Sequence, residues 1–197
     1  MNSWISKVVV VIAFTLAAPV LAHADTWQID PPHTNVEFTV RHMMISNVKG
    51  QFQKTAGTIT VNGNDAASAQ IDATIDASSV DTRVEQRDMH LKSPEFLDVA
   101  KYPTITFKST KVEANGANKW KVTGDLTLHG VTKPVVLDVE SSGTPVSMGG
   151  KTHAGASATT KIKRSDFGLT WNKAMEAGGV MVGDEVAISI DVEAIKP

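Results

Sequence analysis

Residues 84–107 read VEQRDMHLKSPEFLDVAKYPTITF, the densest polar stretch of the 197-residue chain. Arg87, Asp88 and His90 sit there within four positions. A carboxylate beside an imidazole can orient it as a general base. Nucleophilic catalysis also needs a hydroxyl or thiol in reach of that base, and no spacing marks one. Ser93 has a better explanation as a helix cap. The favoured reading is an ion-paired helix whose Arg and Asp tie a cap to the body of the domain. Contact with a ligand headgroup is the alternative, and catalysis is the weakest of the three.

The remaining chemistry-bearing residues are scattered. Beyond residue 24 the histidines are His33, His42, His90, His129 and His153. None forms an HxH or HExxH pair, so metal binding has no support from spacing. Alternation puts His42 on the face of Phe38 and Val40, where an imidazole needs a partner. That partner is either a backbone carbonyl or the polar end of a ligand. His129 falls on an outer face and is expected to be solvated. Trp171 to Glu185, WNKAMEAGGVMVGDE, carries Gly178, Gly179 and Gly183 among the apolar Met175, Val180, Met181 and Val182. This loop either folds over the mouth of a cavity or packs against a partner subunit. No strand–glycine–helix frame with Lys-Ser/Thr surrounds its glycines, so it is a poor phosphate cradle.

Strands must position these groups. Val36, Phe38, Val40 and His42 alternate with Glu37, Thr39 and Arg41, and Ile71, Ala73, Ile75 and Ala77 with Asp72, Thr74 and Asp76. Trp120, Val122, Leu126 and Leu128 alternate with polar neighbours, as do Val186, Ile188, Ile190 and Val192. One dry and one wet face marks antiparallel sheet. Asn62-Gly63 and Asn115-Gly116 are hairpin signals, and Gly143 to Gly150 reads as a loop. About eight strands follow, near 35–43, 50–61, 68–78, 103–113, 118–129, 134–142, 153–164 and 185–195. The fold class is all-β, an eight-stranded antiparallel up-and-down barrel. Residues 79–102 interrupt it. Thr82-Arg83-Val84-Glu85 has the form of a capping box, predicting a helix to about Lys92. Ser93-Pro94-Glu95 resembles a second helix start, ended before Pro103.

Composition narrows the setting. The net charge is −2, with both signs scattered, so nothing points to nucleic acid. There is no cysteine, which leaves packing and sheet hydrogen bonds to hold the fold. Lys7, an apolar run over residues 8–21 and Ala22-His23-Ala24 have the form of a cleavable secretory signal over residues 1–24, cut after Ala24. The run is short of the roughly 20 residues of a membrane span. Residues 25–197 then form one domain, and a periplasmic location is expected.

The inner faces mix bulky and small side chains. Ala154, Ala156, Ala158 and Thr160 share one face, and Ala73 and Ala77 another. Either they leave room for one ligand, or they match large neighbours across a solid interior. A hollow interior lined by Phe38, Phe52, Phe107, Trp120 and Trp171 would favour a hydrocarbon chain, since each buried CH₂ contributes about 0.8 kcal/mol.

Several stretches together resemble the YceI-like family of periplasmic, lipocalin-like polyisoprenoid-binding proteins. They are Trp27-Gln28-Ile29-Asp30-Pro31 with His33, Val36 to His42, Gly50-Gln51-Phe52, and Arg87-Asp88-Met89-His90-Leu91 with Ser93 and Phe96. Tyr102-Pro103 with Ile105 and Phe107, Gly124 to Thr127, Gly130 to Pro134, and Arg164 with Asp166-Phe167-Gly168-Leu169 follow in order. Thr34 stands where a serine is common, and Leu97 where a second Phe is common. The resemblance implies a lipocalin-like barrel with a short helical insertion and an elongated tunnel for an isoprenoid, a prenyl quinone-like lipid or a similar amphiphile. It implies no cofactor beyond that lipid and no enzyme. It also implies frequent homodimers.

On these grounds the expected ligand-binding residues are Phe38, Val40, His42, Phe52, Phe107, Trp120, Leu126, Ala156 and Trp171, with Met89, Leu91 and Phe96 in a lid. Isoprenoid or fatty lipid is the expected partner, passed from and to a membrane donor or acceptor protein. Two rivals stand beside this reading. One is a stress-related interaction protein with a solid barrel, whose outer face binds a partner such as a membrane cytochrome. The other is an enzyme acting on a bound lipid through His42 or His90.

Overall fold

The computed structural model describes residues 24–63, 65–176 and 178–196. The expected leader lies outside the described residues except for Ala24.

The chain forms twelve described strands and one α-helix. In order they are β1 (Ala24–Ile29), β2 (Asn35–His42), β3 (Ser46–Phe52), β4 (Thr55–Asn62), β5 (Asp65–Asp76) and β6 (Val80–Asp81). Helix α1 (Glu85–Lys92) follows, then β7 (Thr104–Ala114), β8 (Lys119–Leu128), β9 (Val131–Ser141), β10 (Val146–Met148), β11 (Lys151–Lys163) and β12 (Val182–Lys196). All the paired ladders are antiparallel. Eight strands close into a barrel in the order β1-β4-β5-β7-β8-β9-β11-β12, with β12 returning to β1.

β12 is the pivot. One edge pairs with β11 from Glu185 to Lys196. The other edge pairs with β2 between Val182 and Asp191, then with β1 at Ala194 and Ile195. At one end, therefore, β2, β3 and the short β6 take over the wall from β1 and β4. Helix α1 and the turns after it lie beside β6 in the sheet's opening. Ile105, Leu128, Ile162, Phe167 and Leu169 form a packed plug there, joined by Leu97 and Val99 from those turns.

The local chemistry explains the corners. His129 and Gly130 both take positive φ in the two-residue β8–β9 turn, as a type I′ turn requires. A Cβ on Gly130 would collide with the Tyr102 ring. Tyr102 in turn meets His129 edge-on at 4.7 Å, and His129 Nδ1 lies 3.2 Å from the Phe167 carbonyl. The expectation of a merely solvated His129 is thus corrected: it is half-buried in a joint between three segments.

Other expectations change as well. The predicted strand 50–61 is two strands, broken at Gln53 and Lys54, whose N–H groups donate to the Ser79 carbonyl and hydroxyl. β1 was not anticipated, nor was β10 inside the expected 143–150 loop. The second helix does not form. Residues 94–97 and 99–101 are turns, and the Ser93 hydroxyl closes α1 by donating to the His90 carbonyl at 2.8 Å. The capping box is also replaced. Val84 occupies the N-cap with no side-chain bond, and the partner of Thr82 is Asp88, not Glu85.

Candidate functional site

The inward faces do not meet. They enclose a cavity of about 730 Å³, well within the range of about 300–1,000 Å³ typical of ligand sites. Its wall runs from Val182 to Ala194 along β12. Those 12 residue steps, at about 3.3 Å each, span roughly 40 Å of strand, or about 30 Å of barrel axis at a tilt near 40°. His42 and Met181 line one end, and Gly63, Gly143 and Pro145 line the other.

Register aligns the walls. Phe38 stands opposite Ile188, Val40 opposite Val186 and His42 opposite Val182, and all six line the cavity. Trp120 and Val139 pair across β8 and β9, and Ala156 and Val192 across β11 and β12. Two glycines let aromatic rings lie flat on the sheet. Any Cβ on Gly50 would strike Phe38, and any on Gly124 would strike Phe107. The rings of Phe38 and Phe52 stand 5.7 Å apart at 46°.

Of the residues expected at the site, Phe38, Val40, His42, Phe52, Leu91, Phe96, Phe107, Trp120, Leu126, Ala156 and Trp171 all line the cavity. Met89 is the correction. It is 61% exposed and points away, because α1 turns its His90 and Leu91 side inward. Trp27, Ile59, Ile162 and most of β12 also form wall and were not expected at the site. Trp27 and Ile29 carried the period-two signal, in a strand too short to stand out.

An aromatic cluster covers the helical side of the cavity. The His90 ring meets Phe96 edge-on at 4.9 Å and Trp171 edge-on at 5.0 Å, and Phe96 lies 5.1 Å from Trp171. His90 Nε2 is held by Glu95 at 2.5 Å. Beside it, Asn172 pins the base of the glycine-rich loop by bonding both N–H and C=O of Val182. Met181 and Val182 line the cavity while Val180 is exposed, so the loop folds over the mouth. Among the described residues, the His42 ring makes no hydrogen bond to protein, so the expected carbonyl partner is not there.

The side chains of Arg164, Arg87 and Ser93 are committed to structure. Arg164 is 6% exposed, and its guanidinium donates to the carbonyls of Leu169, Gly183 and Val182. Burial pushes its pKa below the ordinary arginine value, partly offset by Asp184. Arg87 donates to the hydroxyl and carbonyl of Thr82. The Ser93 hydroxyl is bonded to backbone and not to an imidazole.

Comparison with known proteins places this architecture. The family model described as a YceI-like domain matches residues 27–194. A UPF0312 protein of Vibrio parahaemolyticus is 37% identical over 160 residues, covering 80% of this chain and 85% of the relative. The crystal structure of a Campylobacter jejuni YCEI protein superposes with a TM-score of 0.69 at 37% identity, over 80% of this chain and 90% of that one. A polyisoprenoid binding domain from Saccharophagus degradans shares the fold at 16% identity, with a TM-score of 0.63 over 87% of this chain and 98% of its own.

Proposed function

This chain belongs to the YceI-like domain family, and on that premise we propose that it binds a long-chain isoprenoid or similar amphiphilic lipid for storage or transport. The observation that carries the reading is the long apolar cavity of about 730 Å³. A polyprenyl chain in water exposes a large apolar area, and transfer into this cavity gains about 0.8 kcal/mol for each CH₂ removed from water. No charged contact is needed for tight binding. The solved Saccharophagus domain, described as polyisoprenoid-binding, supports the same ligand class.

We read it as a carrier and not as an enzyme: among the described residues no side-chain hydroxyl bonds the ring of His42 or His90, and Ser93, the serine nearest His90 in sequence, bonds backbone instead. The N-terminal leader form supports a periplasmic site of action. The lipid is then taken from one membrane-associated donor and given to another acceptor across water. Entry and exit pass the end closed by α1, Trp171 and the glycine-rich loop.

Organic-solvent extraction of natively purified protein, read by mass spectrometry, tests this. A prenyl or fatty chain near one per protein is expected. Recovery of no lipid, with no uptake of added prenyl quinone, would favour the interaction-protein reading instead.

A further inference from the structure

Glu193 occupies the point where β12 passes from one strand partner to the other. Its backbone is clamped there. The Asp30 N–H donates to its carbonyl at 2.8 Å, and the Thr34 hydroxyl lies 3.4 Å from that carbonyl and 3.3 Å from its N–H. Inward residues of this stretch, Val192 and Ala194, line the cavity, so the Glu193 side chain stands on the outer wall. His153 of β11 stands beside it, with Nδ1 2.7 Å from Glu193 Oε1. Asp30 and His33 come from the β1–β2 connection, with Oδ2 and Nδ1 2.6 Å apart.

We propose that Asp30, His33 and Glu193 form a binding site for a divalent transition-metal ion such as Zn²⁺, with His153 orienting the Glu193 carboxylate. One ligand atom from each of the three lies within 4.8 Å of the others. Metal–ligand bonds of about 2.0–2.2 Å set tetrahedral ligand atoms roughly 3.4 Å apart, so Asp30 Oδ2 and His33 Nδ1 would part from 2.6 Å while the Glu193 carboxylate closes on them, side-chain adjustments on a fixed backbone. One imidazole with two carboxylates suits zinc, copper or nickel, whereas calcium and magnesium take oxygen ligands alone.

The charges favour a cation. Among the described residues the ion-pair partners of Asp30 and Glu193 are imidazoles, with no Lys or Arg bridging either. Two carboxylates converge there on one imidazole and draw positive charge. None of the four residues lines the cavity, so this site is separate from lipid binding. A bound ion would tie residues 30 and 33 to residue 193, clamping the fork of the barrel.

Isothermal titration of the tag-free protein with ZnCl₂, in two buffers of different ionisation enthalpy, tests the site. One Zn²⁺ per chain is expected, with proton release and a rise in Tm on zinc addition. His33→Ala and Glu193→Gln should each weaken zinc about 10-fold or more, and MgCl₂ should give no saturable heat. His33 has a 65% exposed side chain, so His33→Ala retains the fold and decides the matter if Glu193→Gln does not. Absent stoichiometric zinc binding, or undiminished binding by folded His33→Ala, overturns the proposal.

Discussion

The Asp88 carboxylate holds Thr82 at two points, 2.8 Å from its backbone N–H and 2.5 Å from its hydroxyl. Arg87 completes the joint by donating to the Thr82 hydroxyl at 2.7 Å and carbonyl at 2.8 Å. Thr82 is 4% exposed. The polar run that most resembles an active site is thus a fastener between α1 and the end of β6. Removing Asp88 strands the Thr82 N–H, and hydrogen bonds to charged groups contribute about 1.5–3 kcal/mol. Asp88→Ala should lower Tm by about 3–12 °C in calorimetry, at about 2–4 °C per kcal/mol for a domain of this size. Lipid affinity of the folded fraction should change less than about twofold, because Asp88 does not line the cavity. An intact Tm with lost affinity would return the stretch to the ligand site.

Much of this was legible locally. Strand β2 announces itself through Val36, Phe38, Val40 and His42, and the aromatic lining follows from the same period. What alternation cannot report is the distance between opposite walls. The cavity depends on barrel closure, set by the sequence-distant pairing of β12 with β1 and β2, and on the rings resting over Gly50 and Gly124 across their hairpins, set by cross-strand register. The strand break at Gln53 and Lys54 escaped for the same reason, since its cause is Ser79. The Thr82 joint was misread because two carboxylates, Glu85 and Asp88, lie within one turn of the helix start. Arg83 takes a φ of 64° between Thr82 and the helix, and the bond goes to Asp88.

Filling the cavity should abolish binding without unfolding the barrel. Ala156 faces the cavity, paired with Val192 on one side and Ser141 on the other. Ala156→Trp places an indole in the lipid's path. Phe38→Asp instead removes a ring from the wall and puts a carboxylate among apolar groups, where it is strongly disfavoured. Losing the burial of even two CH₂ groups costs about 1.6 kcal/mol, which is about 10-fold in affinity. Native mass spectrometry should show lipid occupancy falling at least that far in both variants, with unchanged far-UV circular dichroism. Retained occupancy in folded Ala156→Trp would mean the lipid lies elsewhere.

The strap that carries Trp171 is fastened by Asp184, and the fastening depends on acid. Its carboxylate accepts from the Ser165 hydroxyl at 2.8 Å and N–H at 3.1 Å. These bonds, helped by Arg164 and Lys163, hold its pKa below the ordinary 3.8. A depressed carboxylate contributes stability that is present above the unfolded value and is lost as pH falls through the folded one. The Tm difference between wild type and Asp184→Asn should therefore be constant at pH 5–7 and shrink below about pH 4. A difference that grows on acidification contradicts the assignment.

Lipid should quieten the closed end of the barrel. The cover rests on side-chain contacts among His90, Phe96 and Trp171 and on one short bridge, Ala174 to Val180, instead of long ladders. Segments with few buried contacts open at low free energy and exchange their amides quickly. A chain lying against Leu91, Phe96, Trp171 and Met181 adds apolar contact that exists only when the cover is shut. Binding to the closed form then suppresses opening by mass action. Hydrogen exchange at residues 84–97 and 178–183 should slow about 10-fold or more with saturating prenyl quinone, while β8, already in a continuous ladder on both edges, changes little. Equal exchange with and without lipid would show that the chain enters by another route.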